Sequence, residues 1–332
     1  MGSDGTTREP DCLVGDIGGS TVRLALAERS AKQVQLHHIT TWRCANYPGL
    51  AEAIEAYLAE IGGARPAAAA IAIAGPVVGD HAGLTNHPWT ISIEATRRRL
   101  GLAHLAVIND FTAVALSLPM LTTQDVTPVG GGTAEAGKPM AAIGPGTGLG
   151  VSGLVRAGDR WVPVETEGGH ATFAPMTERE SRVADLLRRR HGHVSWERVL
   201  SGPGLVSLHS ALSELDGGPG ETLTPAEVTE RGLAGTSAVA QEALAIFCAA
   251  LGTAAGNLAL TLGARGGVFI AGGVVPRLGD YFARSAFRAR FESKGRLSDY
   301  VRAIPTFVIT AAYPGLIGSA MAADAPVTSR AT

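Results

Sequence analysis

Two glycine-rich turns, each flanked by apolar strands, constrain this chain more than any other feature of its sequence. The first lies in residues 13–26, which read LVGDIGGSTVRLAL, and the second in residues 141–151, which read AAIGPGTGLGV. In each, an apolar run enters a Gly/Ser/Thr turn and a second apolar run leaves it, as in a β-hairpin. Glycines let backbone N–H groups approach an anion closely, and the hydroxyl groups add donors. A single turn of this kind often only reverses the chain, but two copies predict two clamps on one polyphosphate.

The composition argues against several functional classes. The 332 residues are 45% hydrophobic and carry a net charge of −2, from 28 basic and 30 acidic side chains. This balance gives no electrostatic attraction to nucleic acid or to an anionic membrane. The three cysteines have no CxxC spacing, which fits a reducing compartment and argues against structural zinc. The polar first ten residues lack an apolar signal-peptide segment, so we expect a cytoplasmic protein.

One apolar segment needs a separate explanation. Residues 243–262 carry no charge and contain Gly252 and Gly256 in the GxxxG spacing of membrane helix pairs. The segment consists largely of Ala, Gly and Thr, contains Asn257, and is followed directly by a strand-like run. We therefore interpret it as a buried helix that crosses the core.

Strand and helix patterns alternate along most of the chain, which is typical of an α/β protein with a partly parallel sheet. In the first block we predict a hairpin at 12–27, strands near 34–43, 68–74 and 105–108, and helices at 50–61 and 111–118. In the second block we predict a hairpin at 140–155, helices around 177–191, 195–210 and 225–262, strands at 267–271 and 306–310, and a short final helix. Residues 210–225 are predicted to be a surface loop. A hairpin followed by α/β structure thus occurs twice.

A third glycine pair follows a buried strand in the second block. Residues 266–277 read GGVFIAGGVVPR, so a strand runs into Gly272-Gly273 and then into a predicted helix start. Backbone without side chains would let a flat ligand lie against it; a tight strand-to-helix turn is the alternative. Together, the two hairpins and this turn resemble the nucleotide site of the actin, heat-shock chaperone and sugar-kinase superfamily, in which the nucleotide sits between two domains of related fold.

Several polar clusters are candidates for an acceptor site. Asn109 and Asp110 stand where a buried strand ends and a helix begins, at the sheet edge where ligands of α/β proteins collect. Either residue could instead cap the helix. Glu167 and His170 lie three positions apart around two glycines, and Glu197 precedes a Gly-Pro-Gly turn. These clusters are poor metal sites because no ordered set of His, Cys and carboxylate ligands accompanies them.

Seven motifs, in order along the chain, resemble those of bacterial ATP-dependent glucokinases, which are hexokinase-type sugar kinases of the actin-like ATPase superfamily. The motifs are GDIGGS at 15–20, TNHPW at 85–89, INDFTA at 108–113, GPGTGLG at 144–150, EGGH at 167–170, ERVLSGPG at 197–204 and AGGVVPR at 271–277. The resemblance covers roughly residues 12–320. Departures are small: Ser20 stands where some members have Thr, and Pro145 where some have Ala.

The resemblance implies two actin-like (ribonuclease H-like) α/β domains with a ligand cleft between them. The small domain would consist of residues 11–119 plus 311–332, and the large domain of residues 120–310. The implied reaction transfers the γ-phosphoryl group of MgATP to the 6-hydroxyl of glucose, in a cytoplasmic homodimer that acts in glycolysis. Closure on glucose would complete the site and discriminate against water. A kinase for another hexose, or a non-catalytic switch that responds to sugar or nucleotide, remains an alternative.

The resemblance also implies roles for individual residues. Asp110 would be the base for the sugar hydroxyl, and the implied sugar ligands are Asn109, Asp110, Glu167, His170 and Glu197. Carboxylates suit adjacent sugar hydroxyls because they accept two charge-assisted hydrogen bonds at once. The implied ATP-binding residues lie in or beside the glycine-rich turns and are Gly15, Asp16, Gly18, Gly19, Ser20, Thr21, Gly144, Gly146, Thr147, Gly148, Gly272 and Gly273. Asp16 is expected to hold Mg²⁺ through water.

Overall fold

The computed structural model of the chain describes residues 12–30, 33–85, 87–218 and 220–323. Asn86, in the TNHPW motif, lies outside the described residues. The described chain forms two compact units. Unit 1 combines residues 12–121 with residues 311–323, and unit 2 consists of residues 122–310. The chain therefore leaves unit 1 after its first third and returns to it at its end.

Strands and helices alternate in both units. The strands are β1 (Cys12–Ile17), β2 (Thr21–Arg29), β3 (Val34–Arg43), β4 (Ala68–Ile73), β5 (Val77–Val78), β6 (His81–Gly83), β7 (Thr90–Ser92), β8 (His104–Asn109), β9 (Val126–Pro128), β10 (Met140–Pro145), β11 (Leu149–Ala157), β12 (Arg160–Glu165), β13 (Gly267–Ile270) and β14 (Thr306–Ile309). The helices are α1 (Leu50–Glu60), α2 (Ile93–Arg99), α3 (Asp110–Ser117), α4 (Glu178–His191), α5 (Gly202–Leu215), α6 (Pro225–Ala234), α7 (Ala238–Leu262), α8 (Val275–Leu278), α9 (Asp280–Arg284), α10 (Phe287–Glu292), α11 (Ser298–Arg302) and α12 (Pro314–Ala322).

Unit 1 is built on a five-stranded sheet of order β3-β2-β1-β4-β8. The first three strands of this order pair antiparallel, and β4 and β8 run parallel to β1. Successive side chains of a strand point to opposite faces, so Leu13 and Ile17 pack in the same core as α1, whereas Val14 packs with Leu316 and Ala320 of α12. Both faces of the sheet are therefore covered, which explains why β1 is almost continuously apolar.

Unit 2 repeats this arrangement. Its six-stranded sheet has the order β12-β11-β10-β13-β14-β9. Strands β10, β11 and β12 pair antiparallel, and β13 and β14 run parallel to β10, just as β4 and β8 follow β1. Only β9, antiparallel at the far edge, is added. The predicted internal repeat is thus confirmed, and the two glycine-rich turns occupy equivalent places in the two sheets.

The long apolar segment is the core helix α7. By length and composition alone this helix could cross a membrane, but 78% of its most apolar stretch is buried inside the protein. An added Cβ would lie 2.1 Å from Phe287 O at Gly252, and 2.6 Å from Phe291 O at Gly256. The GxxxG spacing therefore lets α10 approach α7 closely, and the interpretation as a buried helix is confirmed.

The predicted helix at 195–210 is wrong at its start. A 3-10 turn covers Trp196–Arg198, and α5 begins only at Gly202 and continues to Leu215, into the predicted loop. The reason is a capping residue: Ser201 Oγ accepts the N–H of Gly204 at 2.9 Å and satisfies a donor that a helix start leaves open.

The predicted helix at 225–262 is two helices. Gly235 ends α6 in the left-handed region, with φ of 72°, where glycine carries no steric penalty. Ser237 then caps α7 by accepting the N–H of Ala240 at 3.2 Å. The apolar periodicity continues across this break, which is why periodicity alone did not reveal it.

Candidate active site

The first predicted phosphate turn joins β1 to β2. Gly18 N–H closes it by donating to Thr21 O at 2.9 Å. Cys44 donates hydrogen bonds to two carbonyl groups of the turn. The Cys44 N–H donates to Ser20 O at 3.0 Å, and its thiol donates to Gly18 O at 3.4 Å. In the part of the chain that the structure describes, the N–H groups of Gly19 and Ser20 have no protein acceptor. The turn thus presents backbone donors, as an anion site requires.

Asp16, just before this turn, is held on two sides. Arg23 Nη1 donates to Asp16 Oδ2 at 2.9 Å, and the Arg23 guanidinium lies 5.7 Å from the centroid of the Tyr313 ring. Gly315, in the first turn of α12, approaches so closely that an added Cβ would lie 3.0 Å from Asp16 Cγ. Burial raises the pKa of the Asp16 carboxyl, and the charge of Arg23 opposes that rise.

The residues around Asp16 suit a Mg²⁺ ion that arrives with a phosphate ligand. Within the described residues, no group of three or more His, Cys, Asp or Glu side chains could hold a metal ion. Mg²⁺ commonly keeps several waters and binds through one or two carboxylates plus substrate phosphates, without a protein cage. A single carboxylate next to a phosphate turn fits that requirement.

The strand-end pair Asn109-Asp110 lies at the same sheet edge as the first turn. The pairing register aligns Ile17 of β1 with Ile73 of β4, and Ile73 with Asn109 of β8. The three parallel strands therefore end level with one another, at the edge where α/β sheets bind ligands. Asp110 follows at once as the first residue of α3 and is half-buried.

Asn109 is the N-cap of α3. Its Oδ1 accepts the N–H groups of Phe111 at 2.9 Å and Thr112 at 3.3 Å, and its Nδ2 donates to Gly75 O at 3.5 Å. The capping alternative is thus confirmed for Asn109. The cap directs the start of α3 and leaves Asp110 at the positive end of the helix dipole. Contact of either residue with a sugar stays a prediction.

The second predicted phosphate turn joins β10 to β11 and is the meeting point of three segments of unit 2. Inside the turn, Gly146 N–H donates to Gly148 O at 2.8 Å. Gly202 N–H, at the start of α5, donates to Gly146 O at 2.8 Å. Val274 N–H donates to Pro145 O at 3.2 Å. The turn is therefore held by its surroundings through its carbonyl groups.

The Gly272-Gly273 turn lies directly against β10. Gly272 has φ of 80°, and an added Cβ would lie 2.3 Å from Pro145 O and 3.0 Å from the Gly144 carbonyl carbon. In the described chain, no protein acceptor takes the N–H groups of Gly273 or of Thr147, the exposed tip of the second turn. The structure thus brings together the predicted ATP-binding residues of unit 2, as it does those of unit 1.

The segment from Glu167 to His170 packs against the first residue of β11. It contains a 3-10 turn at Gly168–His170, and both the Glu167 and His170 side chains are exposed. An added Cβ on Gly169 would lie 2.0 Å from Leu149 O, so only glycine permits this approach.

Glu197 contacts the second turn directly. Its Oε2 accepts the N–H of Leu149 at 2.9 Å. The segments that carry Glu197 and His170 are also joined, because Trp196 N–H donates to Ala171 O at 2.9 Å. The three predicted sugar ligands of unit 2 are therefore gathered around the start of β11.

A cavity of about 300 Å³ lies beside the second turn. Its lining is mostly apolar and consists of Gly202, Leu205, Pro225, Ala226, Thr229, Glu230, Leu233, Val274 and Arg277. Gly202 and Val274 are the residues whose N–H groups hold the turn. Two residues of the cavity wall therefore donate hydrogen bonds directly to the predicted phosphate turn.

Sequence reasoning missed the residues that support these turns. Arg23 could have been found, because a hairpin in which Ile17 faces Val22 places Arg23 opposite Asp16. Cys44 and Gly315 reach the first turn from distant parts of the chain, and no pattern in the sequence connects them to it.

The chain is similar to known glucokinases over nearly its whole length. The profile of the glucokinase family matches residues 13–326. The glucokinase of Aromatoleum aromaticum is 52% identical over 313 residues, which are 94% of this chain and 94% of that protein. The crystal structure of a glucokinase from an Antarctic psychrotroph has a TM-score of 0.87 at 35% identity, and the match covers 94% of this chain and 98% of that one. A ROK family glucokinase from Streptomyces griseus, solved with glucose and AMPPNP, shares the fold with a TM-score of 0.63 at 20% identity, over 94% of this chain and 98% of that chain. These matches and the doubled α/β sheet show that the chain belongs to the glucokinase family and has the actin-like ATPase fold.

Proposed function

We propose that this protein is an ATP-dependent glucokinase, which transfers the γ-phosphoryl group of ATP to the 6-hydroxyl of glucose and releases glucose 6-phosphate and ADP. The observation that carries the proposal is the arrangement in unit 2, where the Glu197 side chain and the segment from Glu167 to His170 both contact Leu149, the first strand residue after the phosphate turn. A site for nucleotide alone has no need of these three side chains. Membership in the glucokinase family supports the same conclusion.

The proposed chemistry needs positioning and charge stabilisation but no covalent intermediate, because phosphoryl transfer passes through a loose transition state. Backbone N–H groups of the two turns would bind the phosphates, with Thr147 adding a hydroxyl donor. Asp110 would accept the proton of the attacking 6-hydroxyl. It stands at the start of α3, at the carboxyl end of a parallel strand where α/β sheets bind ligands.

We further propose that Asp16 holds Mg²⁺ through water. The ion would neutralise charge on the transferred phosphoryl group when bound with ATP. In this chain, Arg23 holds the Asp16 carboxylate by a direct ion pair and favours its charged form. Gly315 leaves room for the carboxylate, since an added Cβ would lie only 3.0 Å from Asp16 Cγ and Oδ2.

The cavity beside the second turn is the proposed place for the nucleoside end of ATP. Apolar walls suit a flat base, and the few polar residues of the lining suit orientation of a ligand. Its distance from the phosphate turn is short, since Gly202 and Val274 belong to the cavity wall and bond to the turn.

The remaining features of the proposal come from the family. We propose that Asn109, Glu167, His170 and Glu197 bind the sugar hydroxyls and that the enzyme acts as a homodimer in the cytoplasm. We also propose functional domains at residues 11–119 plus 311–332 and at residues 120–310.

Coupled turnover of ATP with a panel of hexoses tests the function. We expect the highest kcat/KM for glucose, and a loss of about 10⁴-fold for an analogue that lacks a hydroxyl bound by the site, because an acceptor that the bound sugar covers would be left unpaired. Mannose, fructose and N-acetylglucosamine complete the panel, with ADP and polyphosphate as alternative donors. Faster turnover of an N-acetylated hexosamine, or ATP hydrolysis that ignores sugar, would contradict the proposal.

A further inference from the structure

The Glu197 side chain accepts a hydrogen bond from a backbone N–H at the end of the second turn. Leu149 is the first strand residue after the turn and pairs with Pro145. Pro145 O accepts from Val274, whereas the Leu149 N–H donates to Glu197 Oε2 at 2.9 Å. The orientation of the peptide group that ends the turn therefore depends on a carboxylate 48 positions away.

Gly148, which precedes Leu149, leaves room for the Glu197 carboxylate because it has no side chain. An added Cβ at Gly148 would lie 2.5 Å from Glu197 Oε2 and 3.3 Å from its Cδ. At Gly146, on the same turn, an added Cβ would meet nothing within 4 Å. The Glu197 carboxylate thus occupies the space that a side chain at position 148 would need. Together with its hydrogen bond to the Leu149 N–H, this contact links the position of the turn to that of Glu197.

The segment that carries Glu197 is itself fixed. Ser201 Oγ donates to Glu197 O at 2.8 Å. Trp196, next in sequence, is buried and packs edge-to-face on Phe173, with ring centroids 5.1 Å apart. The Glu197 carboxylate therefore has few accessible orientations, because its backbone is held by Ser201 and by the packing of Trp196, and its Oε2 is bonded to the Leu149 N–H.

We propose that Glu197 positions the phosphate turn as well as binding sugar, so that one carboxylate couples the sugar and nucleotide sites of unit 2. The proposal rests on the sugar-binding role proposed above for Glu197. A carboxylate has two oxygens and about four lone-pair sites, so it can hold the Leu149 N–H and still accept from a sugar hydroxyl. Sugar that immobilises the carboxylate also immobilises the turn, and lowers the ordering cost of phosphate binding.

Binding of nucleotide in the absence of sugar separates this role from that of a simple sugar ligand. The probe is AMPPNP with Mg²⁺, titrated by calorimetry into wild type, Glu197→Ala and Glu197→Gln. Loss of a charge-assisted bond to the turn should weaken sugar-free AMPPNP binding about 10-fold in Glu197→Ala. Glu197→Gln keeps a carbonyl oxygen for the Leu149 N–H, so its affinity should return to within about 3-fold of wild type. Wild-type affinity in Glu197→Ala, or equal losses in both variants, would overturn the proposal.

A second pair of variants leaves Glu197 in place. Glucose binding is measured without nucleotide in Gly148→Ala and in the control Gly131→Ala, an exposed glycine outside the site where an added Cβ would meet nothing within 4 Å. The methyl group at position 148 should displace the carboxylate and weaken glucose binding about 10-fold, whereas the methyl group at position 131 should change glucose affinity less than about 2-fold. Equal glucose affinities in the two variants would count against the coupling.

The two proposals fail in different ways. Wild-type protein that does not phosphorylate glucose would refute the proposed function. If wild-type protein phosphorylates glucose but Glu197→Ala keeps the wild-type affinity for AMPPNP without sugar, only the coupling would be refuted. By reciprocity, the factor by which glucose tightens AMPPNP must equal the factor by which AMPPNP tightens glucose in wild type, and both factors should approach one in Glu197→Ala.

Discussion

Asp110 owes its position to the residue before it. Asn109 caps α3 with two hydrogen bonds, and Asp110 Oδ1 also accepts the Phe111 N–H at 2.9 Å. The Asp110 carboxylate is half-buried at the end of a parallel strand, at the positive end of the helix dipole. It therefore stands at the sheet edge where α/β proteins bind ligands.

We predict that Asp110→Ala lowers kcat about 10²–10⁴-fold, because the 6-hydroxyl loses its proton acceptor. Steady-state assays with glucose and ATP give the change in kcat. Thermal unfolding should give a Tm close to that of wild type, since the Asn109 cap remains. Near-normal turnover in a folded variant would remove Asp110 from the role of base.

Asp16 and Arg23 make a second prediction at the same scale, one that depends on pH. Arg23→Met should lower the free energy of unfolding by about 1–3 kcal/mol at pH 7, because a partly buried carboxylate loses its charged partner. Without Arg23, nothing opposes the rise in the Asp16 pKa caused by burial. The Asp16 pKa in the folded variant then lies above that in folded wild type, which is itself raised above the unfolded value. The stability deficit relative to wild type therefore grows with pH between these two folded-state pKa values and is constant above them.

Urea unfolding without Mg²⁺, at about pH 4.5 and pH 7, measures this difference. Arg188→Met serves as the control because Arg188 pairs with Asp185 at an exposed surface, where an ion pair contributes about 0–1 kcal/mol. A deficit of equal size at both pH values in Arg23→Met would contradict the explanation.

At the scale of elements, the hairpins were predictable and the helix boundaries were not. Both hairpins follow from apolar runs on either side of glycines, which are short-range signals. The start of α5 depends on Ser201, and the break before α7 depends on Gly235 and Ser237. Such caps are single residues inside longer apolar patterns, and many residues of the same types do not cap anything.

Helix α6 allows a test of the proposed nucleoside cavity. Ala226 lines the cavity and is exposed, so Ala226→Trp should fill much of its volume of about 300 Å³. We expect the KM for ATP to rise about 10-fold while the KM for glucose stays unchanged, because the apolar pocket for the base is lost. Ala234→Trp, on the same helix but outside this cavity, is the control. Equal KM values for ATP in the two variants would place the nucleoside elsewhere.

At the scale of the whole molecule, the doubled sheet is shared by kinases and by nucleotide switches, so the fold alone does not distinguish them. We predict that ATP hydrolysis without sugar is about 10⁴-fold slower than phosphoryl transfer to glucose, because water makes few of the hydrogen bonds that a sugar makes with the site. Release of inorganic phosphate, measured with and without glucose, tests this prediction. Comparable rates under the two conditions would favour a switch.

Local sequence determined the two turns and the strands beside them. These features depend on residues that are neighbours in the chain, and glycine and apolar patterns report them directly. Tertiary structure alone decided that Glu197 bonds to Leu149, that Gly315 lies against Asp16 and that Cys44 supports the first turn. Each of these contacts joins segments that are far apart in sequence, and such contacts form only when the sheets and helices have packed and brought the segments together.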